Sequence, residues 1–162
     1  METLQNILKA IVDVDNDKLL EDFVKDLDVA ESSTYCTRED SILHYAIKKS
    51  SPGCVELLVK RSLSTDSVTD TLVKTTLQEV YNYAILAATV GNVKALGVIL
   101  RTDSELEAID KDQLEKLIHF SAKSQAEDSV ECLRLLLDDY NVNIEERNDN
   151  RETPLHVAAL SQ

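Results

Sequence analysis

The chain has 162 residues, 43% of them apolar, which is enough for one domain with a sizeable core. Only 3 Gly and 2 Pro are present, too few turn residues for an all-β sandwich or barrel, while the abundant Leu, Ala, Lys, Glu and Asp favour helices. Lys plus Arg number 17 against 30 Asp plus Glu, a net charge of −13, which repels nucleic acid and anionic membrane surfaces and leaves another protein or peptide, one with a basic surface, as the expected partner.

In chain order, the N-terminal METLQNILKAIVD lacks the basic stretch and cleavage pattern of a secretion signal. Leu4, Ile7, Leu8 and Ile11 form one apolar stripe at helical spacing, and Leu19, Leu20, Phe23, Val24 and Leu27 form another. DVDND, residues 13–17, separates them with turn and capping residues. The start of DVDND has the acidic spacing of a Ca²⁺ loop but lacks the later Gly and Glu, so it reads as a turn.

A recurring frame follows. SILHYAI begins at Ser41, NYAILAA at Asn82, KLIHFSA at Lys116 and TPLHVAA at Thr153, at spacings of 41, 34 and 37. Thr153 suits the N-cap of a helix and Pro154 its first position; Leu155, Ala158 and Ala159 then share one narrow apolar face. The first three frames each lead into a second amphipathic segment: CVELLVK from Cys54, ALGVILR from Ala95 and CLRLLLD from Cys132. Short breakers stand between, Ser50–Gly53, Gly91–Asn92 and the longer Gln125–Ser129, with Gly91 suited to a left-handed helix end. His44, His119 and His156 fall in one slot of the frame, a coincidence that three randomly placed residues would show about once in a thousand tries at a period near 34.

These residues resemble the ankyrin repeat, whose pattern is T-P-L-H-x-A-A followed by V-x-x-L-L. Leu43, His44, Ala46, Val55 and Leu58 match in the first clear unit; Ala87, Ala88, Gly91, Leu96, Ile99 and Leu100 in the second; Ile118, His119, Ala122, Leu133 and Leu136 in the third; Thr153 to Ala159 in the fourth. The resemblance implies an all-α solenoid of stacked antiparallel helix pairs in four to five units. Residues 1–34 form a divergent N-terminal capping unit, 35–76, 77–110 and 111–147 are repeats, and 148–162 are a truncated repeat of what is expected to be the N-terminal part of a longer protein. Asn141-Val142-Asn143 resembles the segment leading into the family's projecting β-hairpin. Where the family has Gly at the hairpin tip, this chain has Glu39, Val80, Leu114 and Arg151, so some hairpins are expected to be reshaped or lost. Thr69 to Ala88 reads as helix almost throughout, and Asp112 is the expected cap of a helix starting at Gln113.

The resemblance makes the shared histidine a structural hydrogen-bonding residue. No G-x-S-x-G, H-E-x-x-H or P-loop pattern occurs, and Cys36, Cys54 and Cys132 lack zinc spacing, so no enzyme activity, cofactor or metal is expected. An odd cysteine count without C-x-x-C fits a reducing setting, cytoplasmic or on the cytoplasmic side of a membrane protein, and no apolar run is long enough to span a bilayer. The implied function is a protein-binding scaffold that reads its partner along a concave face. Its positions are Thr37, Arg38, Asp40, Lys48 and Lys49; Gln78, Glu79, Tyr81, Thr89 and Val90; Asp112, Gln113, Glu115, Lys123 and Ser124; and Asp149, Asn150, Glu152 and Leu160. The tips of this stripe are acidic and its helix row partly basic, which suits a partner with the matching charge split. Two alternatives are a cytoplasmic region like that of TRPA-type cation channels and a small self-contained inhibitor of a signalling or transcription factor.

Overall fold

A computed structural model of the chain describes residues 2–25, 42–63, 77–103 and 109–161, with side chains for 6–23, 42–59, 80–102 and 109–161. Every regular element among the described residues is helical, and none is long and apolar enough to cross a membrane. The chain divides into two compact units, Met1–Thr76 and Leu77–Gln162.

The first unit contains α1 (Glu2–Asp13), α2 (Asp17–Lys25), α3 (Ile42–Lys49) and α4 (Pro52–Leu63). Helix α1 pairs with α2 and α3 with α4, and the pairs stack like on like, α1 against α3 and α2 against α4. Leu8, Ile11, Val12, Leu20, Leu43, Ala46, Ile47, Val55 and Leu58 fill the core. The stripe expected on α1 is turned: Val12 is fully buried while Ile7 is 40% exposed. A helix lying against two neighbours buries the arc between them, here Leu8, Ile11 and Val12, rather than a face centred on Ile7. On α2, Leu20 is buried but Leu19 is exposed and Phe23 half-buried; the side chains of Leu4, Val24 and Leu27 lie outside the described residues.

The second unit contains α5 (Leu77–Val90), α6 (Val93–Asp103), α7 (Lys111–Lys123), α8 (Ser129–Arg134), which runs on into a π-helical turn (Leu135–Asp139), and α9 (Pro154–Leu160). Helices α5, α7 and α9 pack in a row, and α6 packs on α8. Ala84, Ala87 and Ala88 of α5 are fully buried, and their small side chains suit close approach of the neighbouring helices; Leu96, Ile99, Leu117, Ile118 and Leu136 supply the bulk.

One left-handed turn is built three times, in a link of three residues after α1 and of two after α3 and α5. Asp15 (φ 46°), Ser50 (φ 56°) and Gly91 (φ 71°) each take the left-handed conformation after a first helix. Their N–H groups donate to Val12, Ile47 and Ala88, and the next residue's N–H donates to Ile11, Ala46 and Ala87, the paired bonds of a Schellman-type helix end. That next residue, Asn16, Ser51 or Asn92, is also the N-cap of the second helix: its carbonyl accepts from Leu20, Val55 or Leu96. Asn16 and Asn92 cap with the side-chain oxygen too, at 3.0 Å from the Leu19 and Ala95 N–H groups. Ser51 instead donates its hydroxyl to the Val12 carbonyl at 2.6 Å, and the Asp15 carboxylate caps α4 through Cys54 N–H at 3.1 Å and Gly53 N–H at 3.4 Å. The first two turns are thereby bonded to each other. The link from α7 to α8 is longer, residues 124–128, as its sequence suggests.

The reshaping expected at the tip positions takes two forms. Val80 and Leu114 lie inside helices. Arg151 keeps a left-handed turn, φ 62°, despite its side chain. Asn148 builds that turn: its side-chain oxygen accepts from Asn150 and Glu152 N–H, its carbonyl accepts from Arg151 N–H, and its own N–H donates to the Glu152 carbonyl. No strand flanks it among the described residues. Glu39 and 69–76 lie outside the described residues; the helix expected there is seen from Leu77 onward.

Two expectations are corrected. The cap of α7 is Asp110, not Asp112: the Asp110 carboxylate accepts from Gln113 N–H at 2.7 Å and the Gln113 side chain accepts from Asp110 N–H at 3.1 Å, a reciprocal box that starts the helix at Lys111. On α9, the face of Leu155, Ala158 and Ala159 is not the buried one. Leu155 is 78% exposed, whereas its counterparts Leu43, Ala84 and Ile118 are at most 2% exposed. Ile118 lies on α7, which has α5 on one side and α9 on the other, while Pro154 and Val157 are the buried residues of α9, which packs on α7.

Candidate functional site

Side chains of α7, with others from α5, α9 and the Arg151 turn, line a cleft of about 220 Å³ in the second unit. Lys116, His119, Phe120 and Lys123 line it from α7, Tyr81 from α5, Val157 from α9, and Asn148 and Asp149 from the Arg151 turn. The helix repeat puts Lys116, His119/Phe120 and Lys123 on one side of α7, with the two lysines about 10 Å apart along the axis. Three of the positions expected to read a partner, Tyr81, Lys123 and Asp149, therefore meet at one place.

His119 is only 7% exposed, and neither ring nitrogen has a hydrogen-bond partner among the described residues. Its counterpart His156 is exposed and accepts at Nδ1 from Thr153 N–H at 3.3 Å, with the Thr153 hydroxyl 2.7 Å away. The difference follows from where the helices start. Helix α9 starts at the frame, so His156 is its third residue and meets the free N–H of the cap. The Asp110 box starts α7 five residues before Lys116, so the Lys116 N–H lies inside the helix and gives His119 nothing to bind. The three histidines share a slot but not an environment; His44 is half-buried on α3. Burial lowers the His119 pKa, partly opposed by the carboxylates of Glu146 and Glu152, so the ring is held neutral. Burial, with Asp110 adding to it, raises that of Tyr81.

The other expected positions are dispersed or already engaged. Lys48 and Lys49 are exposed on α3; Lys49 Nζ lies 3.7 Å from the Asp13 carboxylate and 5.5 Å from the Tyr45 ring centre. Thr89 donates its hydroxyl to the Ile85 carbonyl, Gln113 closes the α7 box, and Glu115 pairs with Lys111 at 3.6 Å. Glu152 accepts from the Asn148 side chain, while Asp112 and Asn150 are exposed. Gln78 and Glu79 sit in the first turn of α5 with side chains outside the described residues, as are Thr37, Arg38 and Asp40 altogether. Sequence reasoning missed Lys116, Phe120, Asn148 and Val157 as lining residues. The spacing of seven between Lys116 and Lys123 was the available signal.

The buried thiols are poor nucleophiles. Burial, then Asp15, raises Cys54 to about 12, and burial, then Asp128 and Glu131, raises Cys132 to about 11. Among the described residues no group of three or more His, Cys, Asp or Glu is placed to hold a metal ion. Compared with protein-family models, curated proteins and solved structures, the chain has no match.

Proposed function

We propose that the chain is a non-catalytic protein–protein interaction scaffold, an ankyrin-type stack that binds its partner along the row of first helices and the turns beside them. The observation that carries this reading is the thrice-repeated link at Asp15–Asn16, Ser50–Ser51 and Gly91–Asn92, joined to like-on-like packing of helix pairs within each unit. Each pair leaves apolar surface that only a neighbouring pair covers, the physical basis of a solenoid. Such a stack presents a long row of side chains on a rigid support, which suits an extended partner segment. Free buried Cys54 and Cys132 fit a reducing, cytoplasmic setting.

Affinity capture from cell extract tests the reading. A chain carrying Tyr81→Ala, Lys123→Glu and Asp149→Arg is expected to lose the proteins that wild type retains. A control carrying Lys94→Glu and Arg134→Glu, exposed on second helices, is expected to keep them. Equal retention by all three chains would mean that the first-helix row is not the binding face.

A further inference from the structure

We propose that the α7 cleft is an anchor pocket for a carboxylate-bearing side chain, Asp or Glu, on a partner peptide, held between Lys116 and Lys123 above the His119 ring. The inference rests on the scaffold reading and names the chemistry of its partner.

Charge supplies the first argument. The chain carries 30 acidic and 17 basic residues, and Lys49 and Lys111 are already engaged by carboxylates, those of Asp13 and Glu115. Lys116 and Lys123 are both exposed at one cleft, and neither is in an ion pair among the described residues. An incoming carboxylate gains attraction from both without breaking an existing pair.

The floor supplies the second. A buried imidazole with no partner on either nitrogen is an unmet donor and an unmet acceptor, and leaving such groups unmet is unfavourable. A carboxylate oxygen entering from above satisfies the N–H of the neutral ring after a small side-chain adjustment. Tyr81, Phe120 and Val157 provide apolar wall for the methylenes behind the carboxylate.

Size and cation type narrow the ligand. About 220 Å³ lies below the roughly 300–1,000 Å³ usual for small-molecule sites and suits a single inserted side chain. No arginine lines the cleft, so the bidentate fork that favours phosphate is missing. Asp149 at the rim, with Glu146 and Glu152 close enough to act on His119, offsets part of the lysine charge and disfavours a dianion.

The experiment is selection from a displayed library of random 12-residue peptides against the full chain, followed by anisotropy titration of the enriched peptides. The expected result is enrichment of Asp or Glu at one fixed position. Replacing that residue by Asn or Gln, or the protein's lysines by the double change Lys116→Gln/Lys123→Gln, should weaken binding about tenfold. Raising salt should weaken it as well, and phosphoserine at the fixed position should not bind more tightly than Glu. Both lysines are exposed, so circular dichroism should show the double variant folded. Enriched peptides without a fixed acid, or with affinity unchanged in the lysine variant, overturn the anchor and leave the scaffold reading intact. If wild type retains no peptide at all, both readings fall.

Discussion

Glycine and left-handed backbone separate into distinct cases at the scale of the single residue. Gly91 combines φ 71° with a close approach: a Cβ there would lie 2.6 Å from the Ala126 Cβ and 3.2 Å from the Ser129 nitrogen. Gly91→Ala is expected to destabilise by about 2 kcal/mol or more, from left-handed strain alone before the clash is added. Gly97 lies within α6, and a Cβ there meets only Leu135 Cδ2 at 3.7 Å. Gly97→Ala is therefore expected to stabilise by roughly 0.5–1 kcal/mol through helix propensity. Urea midpoints of the two variants should move in opposite directions. Arg151 is the converse case, a side chain at φ 62°. Its carbonyl, not its side chain, accepts from Arg147, so Arg151→Gly keeps that bond and should raise the midpoint by up to about 1 kcal/mol. His119 gives a pH signature. Its folded pKa lies below the ordinary 6.5, so between the folded and unfolded values the unfolded chain binds more protons, and stability rises with pH. The stability linked to the neutral ring is complete above pH 6.5 and declines as pH falls through that value toward the folded one. His119→Leu should lose less stability than wild type between about pH 7.5 and pH 5; an equal loss in both would show that the ring is not the source.

Local capping and long-range packing contribute separately at the scale of the element. The Asp110–Gln113 box starts α7 ahead of the frame, so that His119 meets no free cap N–H and Lys116 stands on the wall of the cleft. Asp110→Ala is expected to cost about 1 kcal/mol and to fray the first turn, seen as faster amide exchange at Gln113 and Leu114 than in wild type. The helix pairs themselves were legible from apolar spacing, and so was the turn at Gly91, because a glycine after an apolar run has few other uses. The turns at Asp15 and Ser50 were legible as well, from DVDND and the Ser50–Gly53 breaker, but their left-handed backbone was not; neighbouring hydrogen bonds hold it there. The Asp110 cap was misplaced to Asp112 because two acidic residues stand two apart and only the geometry chooses between them. The cleft was half legible. Tyr81, Lys123 and Asp149 were marked by register, but Lys116 stands in the frame itself, where the fourth unit has Thr153, and register assigned it no place on the partner face.

Each of the two units has its own buried set at the scale of the whole molecule. Residues 77–162 contain three helices of one row, two of the other and the entire cleft. Expressed alone, this part is expected to keep its helical circular dichroism and a cooperative melt, because its core draws on its own side chains. A non-cooperative melt would show that it depends on the preceding unit. The exposed Leu155 on α9 occupies the slot that is buried in α3, α5 and α7, so register identified the slot but not its surroundings. Burial is a property of neighbours, which a frame read within one helix does not contain.

The shared residue at each helix-to-helix link also limits how the gene can vary in length. At Asn16, Ser51 and Asn92 a single residue closes one helix and opens the next, so there is no slack to absorb an extra codon. One inserted amino acid would rotate the following helix by about 100° and bring its apolar side out of register with the adjoining pair. Among related chains, insertions and deletions should therefore collect where the backbone already bridges five residues, at 124–128, and between pairs, while these three corners hold their length even as their letters change.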